Sequence, residues 1–342
     1  MSNNKLYRLK NAKKRKRIIH SLILLIIIFC VIFIKMKPVK KEQAVESIST
    51  DEIQMEEKIE ENKVENVVEP SSDDNENNVK IDNEIENTDI ENIIVETESA
   101  NVKQIIEKYI KDNNLTTDNF AFFYYCPKTL KYYFYNENKF FTAASTIKVP
   151  LAMVYYDKIN NGDLTYDTEF QYKSWQYEAG TGETDSNYQA GDSIPLSFLL
   201  EQMIVNSDNT ATNILKEGLG GEKAYRILIK QYTQKELPEE FNENNLTSAG
   251  FSCDVLKKLY ENKDKYKDLI EFMKRSSGGG YLKREVPNVE IAHKYGSFEG
   301  NVHDFGICYT DNEYLIGVFT KDIQDAEGLI ANINKEVVEV EE

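Results

Sequence analysis

A serine stands three residues before a lysine in the stretch T-A-A-S-T-I-K-V-P-L, residues 142–151, and an apolar run follows. The aromatic pair ahead of it reads as the end of a strand, so the stretch predicts a strand that turns into a helix at the serine. Positions i and i+3 share a helical face, so we expect the Lys148 amine beside the Ser145 hydroxyl. A serine attacks well only when a base takes its proton, and a buried lysine near a second cation has the lowered pKa that this requires. The stretch therefore predicts Ser145 as a nucleophile and Lys148 as its base.

A helix-capping serine followed by a surface lysine is the alternative interpretation of the same pattern, because serine is a favoured helix N-terminal residue. The apolar run Val149-Pro150-Leu151-Ala152-Met153 directly after Lys148 does not suit a solvated lysine. The pattern gains weight only in combination with other motifs, since a string that fixes two residues occurs by chance in a chain of this length.

Two further strings follow in order, S-D-N at 207–209 and K-Y-G at 294–296. In a catalytic cleft, Ser207 would pass a proton to the leaving nitrogen and Asn209 would hold a substrate amide. Lys294 would attract a substrate carboxylate and lower the pKa of Lys148 through its positive charge. The alternatives are a polar helix cap for the first string and a strand–turn boundary for the second.

The glycine of the third string permits a close approach between backbone and ligand. With Gly296 in that position, the backbone N–H groups of Ser145 and Ser297 would form an oxyanion hole, the pair of donors that stabilises a tetrahedral intermediate. Tyr295 and Gly296 are therefore predicted to contact substrate together with Ser297.

The motifs S-x-x-K, S-D-N and K-x-G, taken in this order, resemble those of class A-type serine β-lactamases and their penicillin-binding relatives. The likeness runs from about residue 101 to the end and includes the segment from Ala292 through His303-Asp304-Phe305-Gly306. It implies an α+β sandwich in which an antiparallel sheet is flanked by terminal helices and joined to an all-helical lobe. It also implies a serine hydrolase that forms an acyl-enzyme, with neither metal nor other cofactor.

Two departures from the family pattern concern the site. Tyr295 replaces the usual threonine or serine, whose short hydroxyl helps to grip the substrate carboxylate. The family glutamate that activates the deacylating water has no clean counterpart, and Glu239 and Glu240 are the nearest approximation. Ordinary solvated loop charge is the alternative for both glutamates. The sequence therefore supports acylation better than rapid deacylation.

The expected substrate is a β-lactam. A D-alanyl-D-alanine peptidase acting on peptidoglycan, and a non-catalytic penicillin-sensing or wall-binding module, remain as alternatives. The three histidines show no metal-binding spacing, which disfavours a zinc hydrolase. No basic face stands out, which argues against nucleic acid as a partner. We expect a monomer.

The N-terminal third differs in composition from the rest. Residues 1–17 form a basic tail, residues 18–35 an apolar run, and residues 36–100 an acidic segment almost without aromatic residues. The basic tail before the apolar run predicts a single-pass membrane anchor with a cytoplasmic N-terminus, a cleaved signal peptide being the alternative. The acidic segment predicts a disordered linker. A hydrolase domain at 101–342 would then lie outside the cytoplasmic membrane.

Charge and cysteines agree with this division. The segment 51–100 carries 18 acidic and three basic residues, so most of the net charge of −17 belongs to the linker. Cys126, Cys253 and Cys308 are far apart in the sequence, which is typical of buried thiols. Strands are predicted at Phe120–Cys126 and Tyr132–Tyr135 and again at 289–294, 304–310 and 314–320. Helices are predicted near 145–160, 195–205, 210–216, 222–232 and 252–260, with a last helix from about Ala326.

Overall fold

A six-stranded sheet forms the centre of the computed structural model, which describes residues 95–278 and 281–341. The strands lie in the order β1-β3-β2-β10-β9-β8, and every neighbouring pair is antiparallel except β1 with β3. The mixed α+β architecture expected from the sequence is therefore confirmed. The sheet strands are β1 (Thr97–Glu98), β2 (Phe120–Cys126), β3 (Lys131–Tyr135), β8 (Glu290–Phe298), β9 (Asn301–Tyr309) and β10 (Tyr314–Lys321).

Two-residue or three-residue strands form two small additional sheets. These are β4 (Phe141–Thr142) with β7 (Leu246–Thr247), and β5 (Glu169–Gln171) with β6 (Ser193–Pro195). The helices are α1 (Ala100–Asp112), α2 (Lys148–Asn160), α3 (Thr184–Asn187), α4 (Leu196–Val205), α5 (Asn209–Gly218), α6 (Glu222–Ile229), α7 (Ala249–Glu261), α8 (Lys267–Lys274) and α9 (Ala326–Glu341).

Both faces of the main sheet are covered, which explains why all seven residues of β2 are buried. Alternate side chains of a strand point to opposite faces. Accordingly, Phe122 belongs to a core cluster with residues of the terminal helices α1 and α9, and Phe123 belongs to a second cluster with α2, α4 and α7. The helical lobe and the terminal helices thus hold the sheet between two apolar layers, as the sandwich prediction requires.

The structure differs from the predicted elements in several places, among them β8, the segment Ala144–Ile147 and α8. Strand β8 continues to Phe298, so the K-Y-G string lies inside a strand and not at its end. The segment Ala144–Ile147 is a 3₁₀ turn, and the α-helix begins only at Lys148. Helix α8, which has eight residues, is absent from the helices that the sequence predicts.

The folded part also begins before residue 101. Thr97 and Glu98 pair with Lys131 and Tyr132, and Ser99 caps α1 by accepting a hydrogen bond from the Val102 N–H. These residues fall within the predicted linker, where composition alone gives no signal for a strand of two residues. The basic tail, the apolar run and the linker up to residue 94 lie outside the described residues. Across 95–278 and 281–341, none of the helices combines the length and apolar character needed to span a bilayer.

The three cysteines of the folded part are free and buried, as expected from their spacing. They act as small apolar core residues, and burial raises the pKa of the Cys308 thiol to about 12.

Candidate active site

Ser145 lies in the 3₁₀ turn between β4 and α2, half-buried at the base of a cleft. The Thr146 hydroxyl closes the turn by donating to the Ala143 carbonyl at 2.7 Å. Ala144 adopts a positive φ of 49°, an uncommon conformation for a residue with a side chain. Strain of this kind persists only where the surroundings impose it. The backbone at the serine is therefore held in a fixed position.

A buried histidine fixes the strand that leads into this turn. His303 Nε2 donates to the Thr142 carbonyl at 2.9 Å, and its Nδ1 accepts from the Thr320 N–H at 3.1 Å. These partners require the neutral ring. Burial lowers the pKa of His303 to about 4, in agreement with that assignment.

Lys148, the first residue of α2, is 3% exposed. Its Nζ donates to the Ser207 carbonyl and to Asn209 Oδ1, both at 2.7 Å, and lies 3.3 Å from Ser207 Oγ. A neutral amine has two N–H groups and one lone pair, so these two acceptors leave the lone pair free to take a proton from a serine hydroxyl. Burial is the main cause that lowers the pKa of Lys148 well below its usual value, and the positive charge of Lys294 acts in the same direction.

Asp208 braces the S-D-N loop through both oxygens of its carboxylate. Its Oδ1 accepts from the Ala211 N–H and its Oδ2 from the Thr184 N–H, each at 2.9 Å, so one carboxylate caps α5 and ties α3 to it. Ser207 has a positive φ of 56°, which turns its carbonyl toward Lys148. The string is therefore both a helix cap and the wall of the cleft.

Strand β8 passes directly against the nucleophile turn. A Cβ atom added to Gly296 would lie 2.8 Å from Ser145 N and 3.0 Å from the Ala143 carbonyl oxygen. Real side chains do not make contacts this short, so only glycine allows the strand to come this close. The approach places the backbone of Ser297 beside that of Ser145, where the two N–H groups can form the predicted oxyanion hole.

Lys294 is fully buried on β8, with its Nζ donating to the Tyr295 carbonyl at 3.0 Å. Burial lowers its pKa to about 7, and the negative charge of Asp304 opposes that effect. Asp304 also bonds His293 Nδ1 at 2.8 Å and accepts from the Leu282 N–H. Lys294 forms no salt bridge with a described residue, so its positive charge can attract an anionic group such as a substrate carboxylate.

A cavity of about 220 Å³ lies beside Ser145. Four of the predicted site residues line it: Ser145, Lys148, Asn209 and Ser297. Ser207 contacts one lining residue, Lys148, through its carbonyl, and Gly296 packs against the backbone of another, Ser145. The structure thus brings together residues that are up to 152 positions apart in the sequence, from Ser145 to Ser297.

Tyr295 takes a different place. Its ring stacks on that of Tyr281, with centroids 5.0 Å apart and planes 20° from parallel. A Cβ atom at Gly278 would lie 2.1 Å from the same ring. The side chain packs against the terminal-helix cluster and does not line the cavity, which leaves its predicted contact with substrate as an expectation.

Glu239 and Glu240 lie in the short 3₁₀ helix Glu239–Asn242, where both side chains are exposed. Neither lines the cavity. The structure therefore does not bring the two glutamates to the nucleophile, although they are adjacent to a loop that reaches it.

Sequence reasoning missed several lining residues, among them Asn245, Glu178 and Lys216. Asn245 donates to the Ala144 carbonyl at 3.2 Å and accepts from the buried Arg226 guanidinium at 2.6 Å. Glu178 and Lys216 carry charge into the same cavity. The sequence held one available signal: Glu178 stands just before Gly180-Thr181-Gly182, a glycine-rich loop that precedes the S-D-N string.

Comparison with known proteins gives a consistent result. The model of the beta-lactamase enzyme family matches residues 101–340. A curated relative, the extended-spectrum beta-lactamase PER-1 of Pseudomonas aeruginosa, is 25% identical over 239 residues, which is 60% of this chain and 77% of that protein.

Solved structures show the same fold. An acyl-enzyme complex of a PBP-A mutant with penicillin G has a TM-score of 0.62 at 21% identity, covering 72% of this chain and 97% of that one. A beta-lactamase from Chitinophaga pinensis has a TM-score of 0.62 at 22% identity, covering 70% and 99%. At this level of identity the structures establish the fold alone.

Proposed function

Because this chain belongs to the beta-lactamase enzyme family, whose members are serine hydrolases, we propose that it hydrolyses β-lactams through an acyl-enzyme on Ser145. The observation that carries the proposal is the position of Lys148. Lys148 stands three residues after Ser145, directly behind the turn that holds the serine, and its buried amine has a strongly lowered pKa. Such an amine is the base that a serine nucleophile needs.

In the proposed acylation, the Lys148 amine takes the Ser145 proton while Oγ attacks the lactam carbonyl carbon. The N–H groups of Ser145 and Ser297 hold the developing oxyanion. The C–N bond of the ring then breaks, and the Ser207 hydroxyl delivers a proton to the leaving nitrogen. Ser207 is suited to this relay because its Oγ lies 3.3 Å from Lys148 Nζ, from which it can be reprotonated.

Substrate recognition is assigned to the remaining predicted residues. Asn209 would hold the substrate amide through its side-chain N–H groups, since its Oδ1 is already used by Lys148. Lys294 would attract the carboxylate, and protonation of its amine becomes more favourable once that anion is bound.

The test mixes the full-length purified protein with penicillin G and follows its intact mass. We expect a covalent adduct on the wild type and none on Ser145→Ala. Excess chromogenic cephalosporin then shows whether turnover continues. Sustained hydrolysis over many equivalents supports a β-lactamase, and a wild type that shows neither adduct nor hydrolysis contradicts the acyl-enzyme.

A D-alanyl-D-alanine peptidase acting on peptidoglycan is the second candidate. It is favoured by the exposed positions of Glu239 and Glu240, because a peptidase needs no group that rapidly hydrolyses a penicilloyl ester. Release of D-alanine from a D-alanyl-D-alanine peptide would support it. A single equivalent of bound penicillin with neither activity would instead favour a penicillin-sensing or wall-binding module.

We further propose that residues 18–35 anchor the protein in the cytoplasmic membrane, with the hydrolase domain outside. The support is the sequence alone: an apolar run preceded by a strongly basic tail. Protease treatment of intact spheroplasts should remove the domain, and its full protection would contradict the proposed orientation.

A further inference from the structure

The cavity beside Ser145 contains one carboxylate among the described residues that line it, that of Glu178. This residue comes from the loop before the S-D-N string, between the 3₁₀ helix Ser174–Gln176 and α3. It lines this cavity together with Lys148, Asn209 and Asn213. The carboxylate therefore shares a solvent space with the nucleophile, unlike Glu239 and Glu240.

Helix α5 fixes the position of Glu178. Asn213 Nδ2 donates to Glu178 Oε2 at 2.9 Å, and the Glu178 N–H donates to Thr210 Oγ1 at 3.1 Å. The neighbouring Gln176, which is buried, donates to Glu217 Oε2 at 2.7 Å. These contacts join the loop to α5, which begins at Asn209. Helix α5 therefore contacts the Glu178 carboxylate through Asn213 and the Lys148 amine through Asn209.

One oxygen of the carboxylate remains available for chemistry. Asn213 uses Oε2, and Oε1 has no partner among the hydrogen bonds of the described residues. A cavity of about 220 Å³ has room for several water molecules, since each occupies about 30 Å³ in the liquid. A water between Oε1 and the ester carbon of an acylated Ser145 would have both an acceptor for its proton and an electrophile.

The electrostatics support a functional contact between the two groups. Burial dominates the lowering of the Lys148 pKa, and the Glu178 carboxylate opposes it, so the two charges interact across the cavity. Lys216 also lines the cavity and pairs with Glu222 at 3.0 Å. Positive charge from either lysine would stabilise the anionic intermediate that forms when water attacks.

We propose that Glu178 is the general base for deacylation, in place of a glutamate from the loop after the S-D-N string. The inference rests on the proposed acyl-enzyme. In the step, the Glu178 carboxylate takes a proton from water as the water oxygen bonds to the ester carbonyl carbon. Glu178 passes this proton through solvent to Lys148, whose amine is neutral after acylation. The tetrahedral intermediate then collapses, the C–Oγ bond breaks, and Ser145 Oγ receives the proton from Lys148. The product is the free acid, and Glu178 and Lys148 are back in their starting protonation states.

The test measures acylation and deacylation separately in the full-length protein, by intact-mass kinetics with penicillin G. General-base catalysis contributes about 10²–10⁴-fold, so Glu178→Gln should slow deacylation by about that factor and accumulate the adduct. Its acylation rate should stay within about threefold of wild type. Glu178→Asp, which keeps a carboxylate, should deacylate faster than Glu178→Gln, an order that a purely structural role would not produce.

Glu183→Gln is the matched control, because Glu183 is an exposed carboxylate on the same loop that does not line the cavity. It should deacylate at the wild-type rate. Deacylation of Glu178→Gln at the wild-type rate would overturn the inference and leave the acyl-enzyme intact. A wild-type adduct that never hydrolyses would overturn it as well, again without affecting acylation. A wild type that neither forms an adduct nor hydrolyses penicillin G would overturn both proposals.

Discussion

Replacement of Asp208 by asparagine should weaken the fold and change the pH profile in the same variant. Asp208 is 3% exposed, and each of its oxygens accepts a backbone N–H at 2.9 Å, from Ala211 and from Thr184. Asparagine offers one oxygen and one NH₂ group, so one of these N–H groups would face a donor.

The expected loss of stability follows from these two contacts. A hydrogen bond to a charged group contributes about 1.5–3 kcal/mol, and a buried donor left unpaired costs about 1–3 kcal/mol. Since the two effects share one site and are not additive, we expect a loss of about 2–4 kcal/mol in the free energy of unfolding. Urea denaturation followed by circular dichroism measures it.

The catalytic consequence has a definite sign. Burial and Lys294 lower the pKa of Lys148, and the Asp208 carboxylate opposes them. Removing that negative charge lowers the pKa of Lys148 further, so the acid limb of kcat/KM should move to lower pH. Asp185→Asn, an exposed neighbour on α3, should change neither quantity. A loss of less than about 1 kcal/mol, or an acid limb that moves to higher pH, would refute the reasoning.

Three other outcomes are expected. Gly296→Ala should reduce the acylation rate about 10²–10³-fold, the cost of losing an oxyanion donor, because its Cβ would lie 2.8 Å from Ser145 N; a rate near wild type would contradict the close approach. For an anionic substrate, kcat/KM should fall as pH rises through about 7, where free Lys294 loses its proton, and a Lys294→Met variant should lack that limb. The pKa of His303 falls from 6.5 to about 4 on folding, so the unfolded chain takes up the proton first and stability is lost as pH drops from about 6.5 to 4. At about 1.4 kcal/mol per unit the loss approaches 3 kcal/mol, which urea titrations at pH 7 and 4 would measure against His303→Gln.

Local patterns predicted the long strands of the main sheet well. The aromatic run Phe120–Cys126, the strand from Tyr314 and the helix from Ala326 appear where the sequence places them. The S-x-x-K spacing could be interpreted because two residues three positions apart share a helical turn. Such features depend on neighbours in the sequence, which is why they were accessible.

Features that depend on distant contacts were not accessible. Glu178 reaches the cavity only because Asn213 and Thr210 hold its loop, and no spacing rule encodes that pairing. The stacking of the Tyr295 ring on Tyr281, which comes from a separate loop, has no local signal either, and contact of Tyr295 with substrate stays a prediction. The strand at Thr97–Glu98 depends on pairing with β3 and has no local signal.

The position of β1 has a mechanical consequence. The chain enters the sheet at β1, on one edge, and the strand that carries Lys294 and Gly296 forms the opposite edge. Tension transmitted through the preceding residues would therefore load the two-residue pairing of β1 with β3 first. The hydrogen bonds between β1 and β3 would break first, while the four antiparallel pairings of the other strands keep their register and hold the cleft together. A protein pulled by its N-terminus would lose its outermost strand before its active site.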